Sequence, residues 1–110
     1  MSVYEVKITH QAEIQMREIA RYITVELKNP EAASNLVDHF YNTINELSTN
    51  PERQPLISFE PWRSDGVRWT KEGNYLIYFW IDTENARVQV IGIVYEKRDQ
   101  KSFLKRIIDR

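Results

Sequence analysis

The sequence predicts an α+β domain: an opening strand, an antiparallel helical hairpin, and a meander of three strands followed by a short helix. Two observations carry this. In the first half, apolar residues recur at helical spacing over two consecutive stretches. In the second, Gly66–Asp99 (GVRWTKEGNYLIYFWIDTENARVQVIGIVYEKRD) holds three strand-like runs divided by tight connections at Glu72-Gly73-Asn74 and Thr83-Glu84-Asn85.

Each element has its own justification. Val3–Thr9 alternates, with Tyr4, Val6 and Ile8 on one side and Val3, Glu5 and Lys7 on the other, which predicts a strand. Thr9 suits an N-cap. From Gln11 to about Lys28, Ala12, Met16, Ile19, Ala20, Ile23 and Leu27 form one stripe of an amphipathic helix. Asn29-Pro30 stops that helix and starts the next, because Asn caps well and Pro is tolerated at the first helical position. Ala33, Leu36, Val37, Phe40, Ile44 and Leu47 form the second stripe, which should end near Thr49 because Asn50 precedes Pro51. So short a link makes the two helices antiparallel neighbours. Met16 and Phe40 are expected in the core.

Pro51–Asp65 carries three prolines and reads as a loop, pinned to the core by Leu56, Ile57, Phe59 and Trp62. The strands are expected at Val67–Lys71, Tyr75–Asp82 and Arg87–Glu96; the second is rich in aromatic and β-branched residues. Gln100–Ile108 fits one or two helical turns with Phe103, Leu104 and Ile107 facing inward. The hairpin would cover one face of a small, mainly antiparallel sheet and leave the opposite face open or concave.

The 110 residues suit one domain, 1–110, with one core. An aromatic share of 12% argues against disorder. Without Cys there is neither a disulfide framework nor a Cys-based metal site. No apolar run approaches the roughly 20 residues that span a bilayer, so no membrane partner is expected. MSVYEVKITH lacks the pattern of a secretion signal, so a cytoplasmic location is the default expectation. Net charge is −1, but residues 1–65 hold 6 Lys/Arg against 10 Asp/Glu and residues 66–110 hold 9 against 6. The sheet and tail thus carry the cationic bias, which fits either a solvated surface or a face for phosphates or acidic partners.

Phosphate-loop, nucleophile-elbow, H-E-x-x-H and Ca²⁺-loop signatures are absent. His10 and His39 belong to the hairpin half and read as incidental. Asp82, Glu84, Glu96 and Asp99 make no convincing metal cluster by spacing, and no metal or cofactor is expected. What remains is cationic and aromatic. In an antiparallel meander the end of the last strand lies near the start of its neighbour. Tyr75 should therefore meet Tyr95 and Arg98, with Arg68 one strand over. Guanidinium groups grip phosphate bidentately and stabilise developing charge, and tyrosine stacks on bases or relays protons. The competing reading packs the tyrosines in the sheet and pairs the arginines with Asp82, Glu96 or Asp99.

Several pieces together resemble a known family. They are Thr9-His10-Gln11-Ala12 after the first strand, Glu18–Ile23 in the first helix and Asn29-Pro30-Glu31-Ala32-Ala33 opening the second. In the sheet they are Gly66-Val67-Arg68, Asn74–Tyr78 and Tyr95-Glu96-Lys97-Arg98-Asp99. In this order, over nearly the whole chain, they resemble the RelE/ParE superfamily of toxins from type II toxin–antitoxin modules. The resemblance implies a growth-arresting toxin neutralised by a cognate antitoxin that docks on the hairpin and across the sheet, with Tyr22 and Tyr41 as plausible contacts.

The resemblance implies three readings. In the RelE-like branch, a metal-free endoribonuclease cuts mRNA on the ribosome. Arg68 and Arg98 would hold the phosphate, Tyr95 would assist proton transfer, and Lys71, Tyr75 and Lys97 would bind substrate. In the ParE-like branch, the protein inhibits DNA gyrase without catalysis. The third reading is an inactive member that only binds its antitoxin. A homodimer is compatible with all three. The nuclease is the first expectation, resting on the arginine pair. Two departures weigh toward the gyrase branch: Tyr75 stands where the nucleases carry Arg, and Phe103 or Leu104 stands where they carry a tail Tyr.

Overall fold

The computed structural model describes residues 3–108. The elements follow the order β1 (Glu5–Ile8), α1 (His10–Val25), α2 (Pro30–Glu46), a 3₁₀ turn (Pro51–Arg53), β2 (Arg68–Glu72), β3 (Tyr75–Asp82), β4 (Arg87–Tyr95) and α3 (Gln100–Ile107). This is the expected α+β layout. The sheet order is β1-β4-β3-β2, with β1 parallel to β4 and the other pairs antiparallel.

Local signals act as expected. Thr9 Oγ1 accepts from the Ala12 N–H, and Asn29 Oδ1 accepts from the Ala32 N–H, each at 3.1 Å, so both helices start with a side-chain cap. The helices end earlier than their stripes suggest. Lys28 adopts a left-handed φ of 51° beyond α1, and Asn50 does the same, also at 51°, beyond α2. The last residues of the α2 stripe tighten instead into i→i+3 bonds, Leu47 to Ile44, Ser48 to Asn45 and Thr49 to Glu46. Gly73, with φ of 58°, supplies the β2–β3 turn.

The hairpin stripes meet one face of the sheet. Ala12, Met16, Phe40, Ile44 and Leu47 pack with Ile77, Phe79, Val88, Val90 and Ile93. The opposite face is not open. Ile57 and Trp62 from the 54–66 segment, with Phe103 and Leu104 from α3, cover Tyr78, Ile91 and Val94 there. The physical reason is the unbroken apolar run Val90–Val94. A bulge between Tyr78 and Phe79 leaves Ile91 without a cross-strand partner. Ile91 and Gly92 then both serve the second face while Val90 and Ile93 serve the first. Each such side chain, fully buried, is worth roughly 1.5–3 kcal/mol, and the 54–66 segment with α3 keeps those of the second face from water.

Gly92 is the notch in which α3 seats. A methyl group there would lie 2.6 Å from Ile107 Cδ1 and 2.9 Å from Phe103 Cε2. Gly92→Ala should therefore push α3 outward and lower the unfolding free energy by about 1–3 kcal/mol. Thermal melts and the exchange rate of the Ile108 amide, which donates to Leu104 O at 2.9 Å, measure the two effects.

Candidate functional site

β1 is shorter than the strand it pairs with. It ends at Ile8, opposite Val90, whereas β4 runs on to Tyr95. Beyond Val90 that edge of β4 has no strand beside it. The Ile93 N–H there is met by a side chain from α1, Gln15 Oε1, at 2.9 Å. The gap between α1 and the start of α3 forms a groove of about 670 Å³ along this edge. Gln15, Glu18, Ile19 and Tyr22 of α1 form one wall, Ile93–Tyr95 with Tyr75 the floor, and Arg98 with Phe103 the other wall.

The floor is aromatic. Tyr75 and Tyr95 are register partners across β3 and β4. Their rings meet at 5.9 Å, and Tyr75 meets Phe40 edge-on at 5.5 Å. Tyr22 and Tyr95 remain 56% and 41% exposed, so the groove presents tyrosine surface to solvent. Burial raises the Tyr75 hydroxyl above its ordinary pKa, and the neighbouring Tyr95 and Tyr22 hydroxyls reinforce this. Arg98 lines the groove, and among the described residues its side chain makes no hydrogen bond or ion pair. Its acidic neighbour is occupied elsewhere. Asp99 caps α3, accepting from the Ser102 N–H at 3.2 Å and the Ser102 hydroxyl at 2.9 Å, and these bonds hold its carboxyl below the usual range. The arrangement is a cation poised over an apolar, hydroxyl-bearing floor, with Glu18 across from it.

The other candidates lie elsewhere. Arg68 is opposite Phe79, four residues along β3 from Tyr75, which is roughly 13 Å at about 3.3 Å per residue. Its guanidinium donates to the carbonyls of Gln54 at 2.6 Å and Glu52 at 3.2 Å. Arg68 thus clamps the 3₁₀ turn and makes no pair with Arg98. Lys71 belongs to the α3 face of the sheet and pairs with Glu96 at 2.7 Å. Lys97 is exposed in the turn after β4 and does not line the groove. Phe103, at the expected place of a tail tyrosine, is 4% exposed and packs on Tyr78. Of the six candidates, then, Tyr75, Tyr95 and Arg98 converge. Gln15, Glu18 and Ile19 were not singled out as site residues. Ile19 belongs to the α1 stripe itself, and Gln15, Glu18 and Tyr22 lie three and four residues from one another around it on the same helical face. Among the described residues no group of His, Asp or Glu side chains could hold a metal ion, and no helix is long and apolar enough to cross a membrane.

The family model for the ParE toxin of type II toxin–antitoxin systems, parDE, matches residues 6–100. The chain belongs to the ParE toxin family. Solved structures share its fold at low identity. A chain of the chromosomal ParDE toxin–antitoxin system from P. aeruginosa is 19% identical, with a TM-score of 0.68 over 84% of this chain and 96% of that one. A double mutant of the E. coli toxin RelE in the free state is 15% identical, with a TM-score of 0.64 over 96% and 99%. A chain of the archaeal RelE–RelB complex from Pyrococcus horikoshii is 16% identical, with a TM-score of 0.57 over 87% and 98%. No curated protein sequence matches the chain. Among the described residues, Arg98 is the arginine that lines the groove of this ParE-family toxin, with Arg106 in the adjoining cavity, while Arg68 is engaged by the Gln54 and Glu52 carbonyls.

Two measurements follow from the geometry. Arg68→Ala should cost about 1–2 kcal/mol of stability through its lost carbonyl contacts, read by chemical denaturation, while the ring contacts of Tyr75 and Tyr95 stay as they are. Burial pushes the Tyr78 hydroxyl up to about 12. A raised pKa means stability that is present below the unfolded value near 10 and lost as pH climbs toward 12. Tyr78→Phe should remove that share of the alkaline decline, as measured by denaturation between those pH values.

Proposed function

We propose that this toxin arrests growth by binding DNA gyrase through the Tyr22–Tyr75–Tyr95–Arg98 groove, without cutting RNA, and that a cognate antitoxin neutralises it by covering the same groove. The observation that carries the reading is the engagement of Arg68 with the Gln54 and Glu52 carbonyls. RNA cleavage needs charge stabilisation at the phosphate together with a proton acceptor whose pKa lies near the working pH. Among the described residues Arg98 is the arginine that lines the groove, with Arg106 beside it in the adjoining cavity, and Arg68 is engaged elsewhere. The nearest partly buried hydroxyl, Tyr75, is raised away from neutrality, and the tail position is a buried phenylalanine. A cation above an amphipathic tyrosine floor is instead the composition of a protein-binding hot spot. The match to the ParE family over residues 6–100 supports the same branch. The antitoxin rests on the toxin–antitoxin systems among the fold's relatives.

Purified toxin should inhibit gyrase supercoiling and leave mRNA intact in a translating extract. Arg98→Glu should raise the amount needed for half-inhibition about tenfold or more, since reversing a charge in a desolvated contact costs upward of about 1.4 kcal/mol. Translation-dependent mRNA cleavage with normal supercoiling would overturn the proposal in favour of the nuclease.

A further inference from the structure

The Arg98-bearing turn is held by one amide side chain. The two N–H groups of Gln100 Nε2 reach three carbonyls, donating to Arg98 O at 2.8 Å and Glu96 O at 3.1 Å, with Tyr95 O at 3.3 Å sharing one of them. Gln100 Oε1 accepts from the Tyr78 hydroxyl at 2.7 Å. Tyr78 is 2% exposed in the middle of β3, so its hydroxyl is a fixed point. The turn has other ties, from Glu96 N–H to Asn74 O at 2.9 Å and from the Glu96 carboxylate to Lys71 at 2.7 Å. Both hold Glu96, however, and neither reaches Arg98. Within the turn the Arg98 amide bonds only back to Tyr95 O, at 3.0 Å.

Together these bonds make a chain from the core to the groove: buried hydroxyl, carboxamide, three carbonyls, then the two side chains those residues project. We infer that Gln100 is the positioning residue of the groove. Through Tyr78 it fixes the turn so that Tyr95 and Arg98 face Tyr75 and α1 before any partner arrives. The inference deepens the functional reading above and rests on it. Its physical content is preorganisation. A flexible arginine on a loose turn loses more freedom on binding than one on a turn already held, and the difference appears as affinity. A carboxamide suits the task because it offers two donors and an acceptor at once. A carboxylate of the same shape keeps the acceptor for Tyr78 but turns repulsive toward the three carbonyls.

Gln100→Glu is therefore the decisive substitution. Leu104→Val serves as the control, because it weakens the α3 core without touching the turn. Two quantities are read for each variant at a temperature where it stays folded: half-inhibition of gyrase supercoiling, and hydrogen exchange at the Arg98 amide. Gln100→Glu should speed exchange at Arg98 at least tenfold and raise the half-inhibiting concentration severalfold. Leu104→Val should change neither by more than about twofold, even where its melting temperature falls as far. Gln100→Asn, which keeps the amide on a shorter arm, should recover part of the protection. Unchanged exchange or unchanged inhibition in Gln100→Glu overturns the inference, as does an equal loss in Leu104→Val. Arg98→Ala separates the two levels. If it inhibits fully, the functional reading fails even though the turn loosens in Gln100→Glu. If it loses inhibition while Gln100→Glu does not, the positioning role alone fails.

Discussion

Strand β4 carries apolar side chains on both faces, and both have to be kept from water. That constraint organises the molecule. Val88, Val90 and Ile93 require the helical hairpin on one side, and Ile91 and Val94 require the 54–66 segment and α3 on the other. The bulge opposite Tyr78 and Phe79 divides the duty, and Gly92 supplies the space that lets α3 come close. The surface ion pairs matter less. Arg17–Glu13 is an exposed i,i+4 pair of the kind worth about 0.3–0.5 kcal/mol, a fraction of one buried isoleucine.

The groove is a by-product of the same strand. β4 outruns β1 by five residues, from Val90 to Tyr95. A bare edge next to a core is costly unless its polar groups are met. Gln15 meets one of them, and the aromatic rings of Tyr75 and Tyr95 close the floor. What is left open is bounded by α1 and by the turn before α3, so a feature required for stability leaves a concave surface with a cation on its rim. The candidate site lies where the fold stops covering itself.

The cations of the sheet half show how tertiary partners assign roles. Arg68 and Arg98 are alike in sequence terms, each at a strand end in a cationic segment. The carbonyls of Glu52 and Gln54 come within reach of one, and the Asp99 carboxylate beside the other is turned away by its helix cap. One guanidinium becomes a clamp and the other stays available. Lys71 is taken by Glu96 from across the sheet. No spacing rule separates these outcomes, because each partner arrives from a different part of the chain.

By itself the sequence determined the α+β class, both helix starts, the meander and the inward residues of α3. All are set by local chemistry: the Thr9 and Asn29 caps, the 3.6-residue stripes, and Gly73 at a turn that needs positive φ. It also determined the convergence of Tyr75 with Tyr95, since antiparallel register follows from a short hairpin. Only the tertiary structure decided that the second face is covered, because an apolar run on one strand does not say which distant segment will bury it. It alone decided that Arg68 leaves the candidate site, and that Gln15 and Glu18 of the first helix join it. Those placements depend on the length of β1 against β4 and on contacts between residues far apart in the chain, which a linear pattern does not encode.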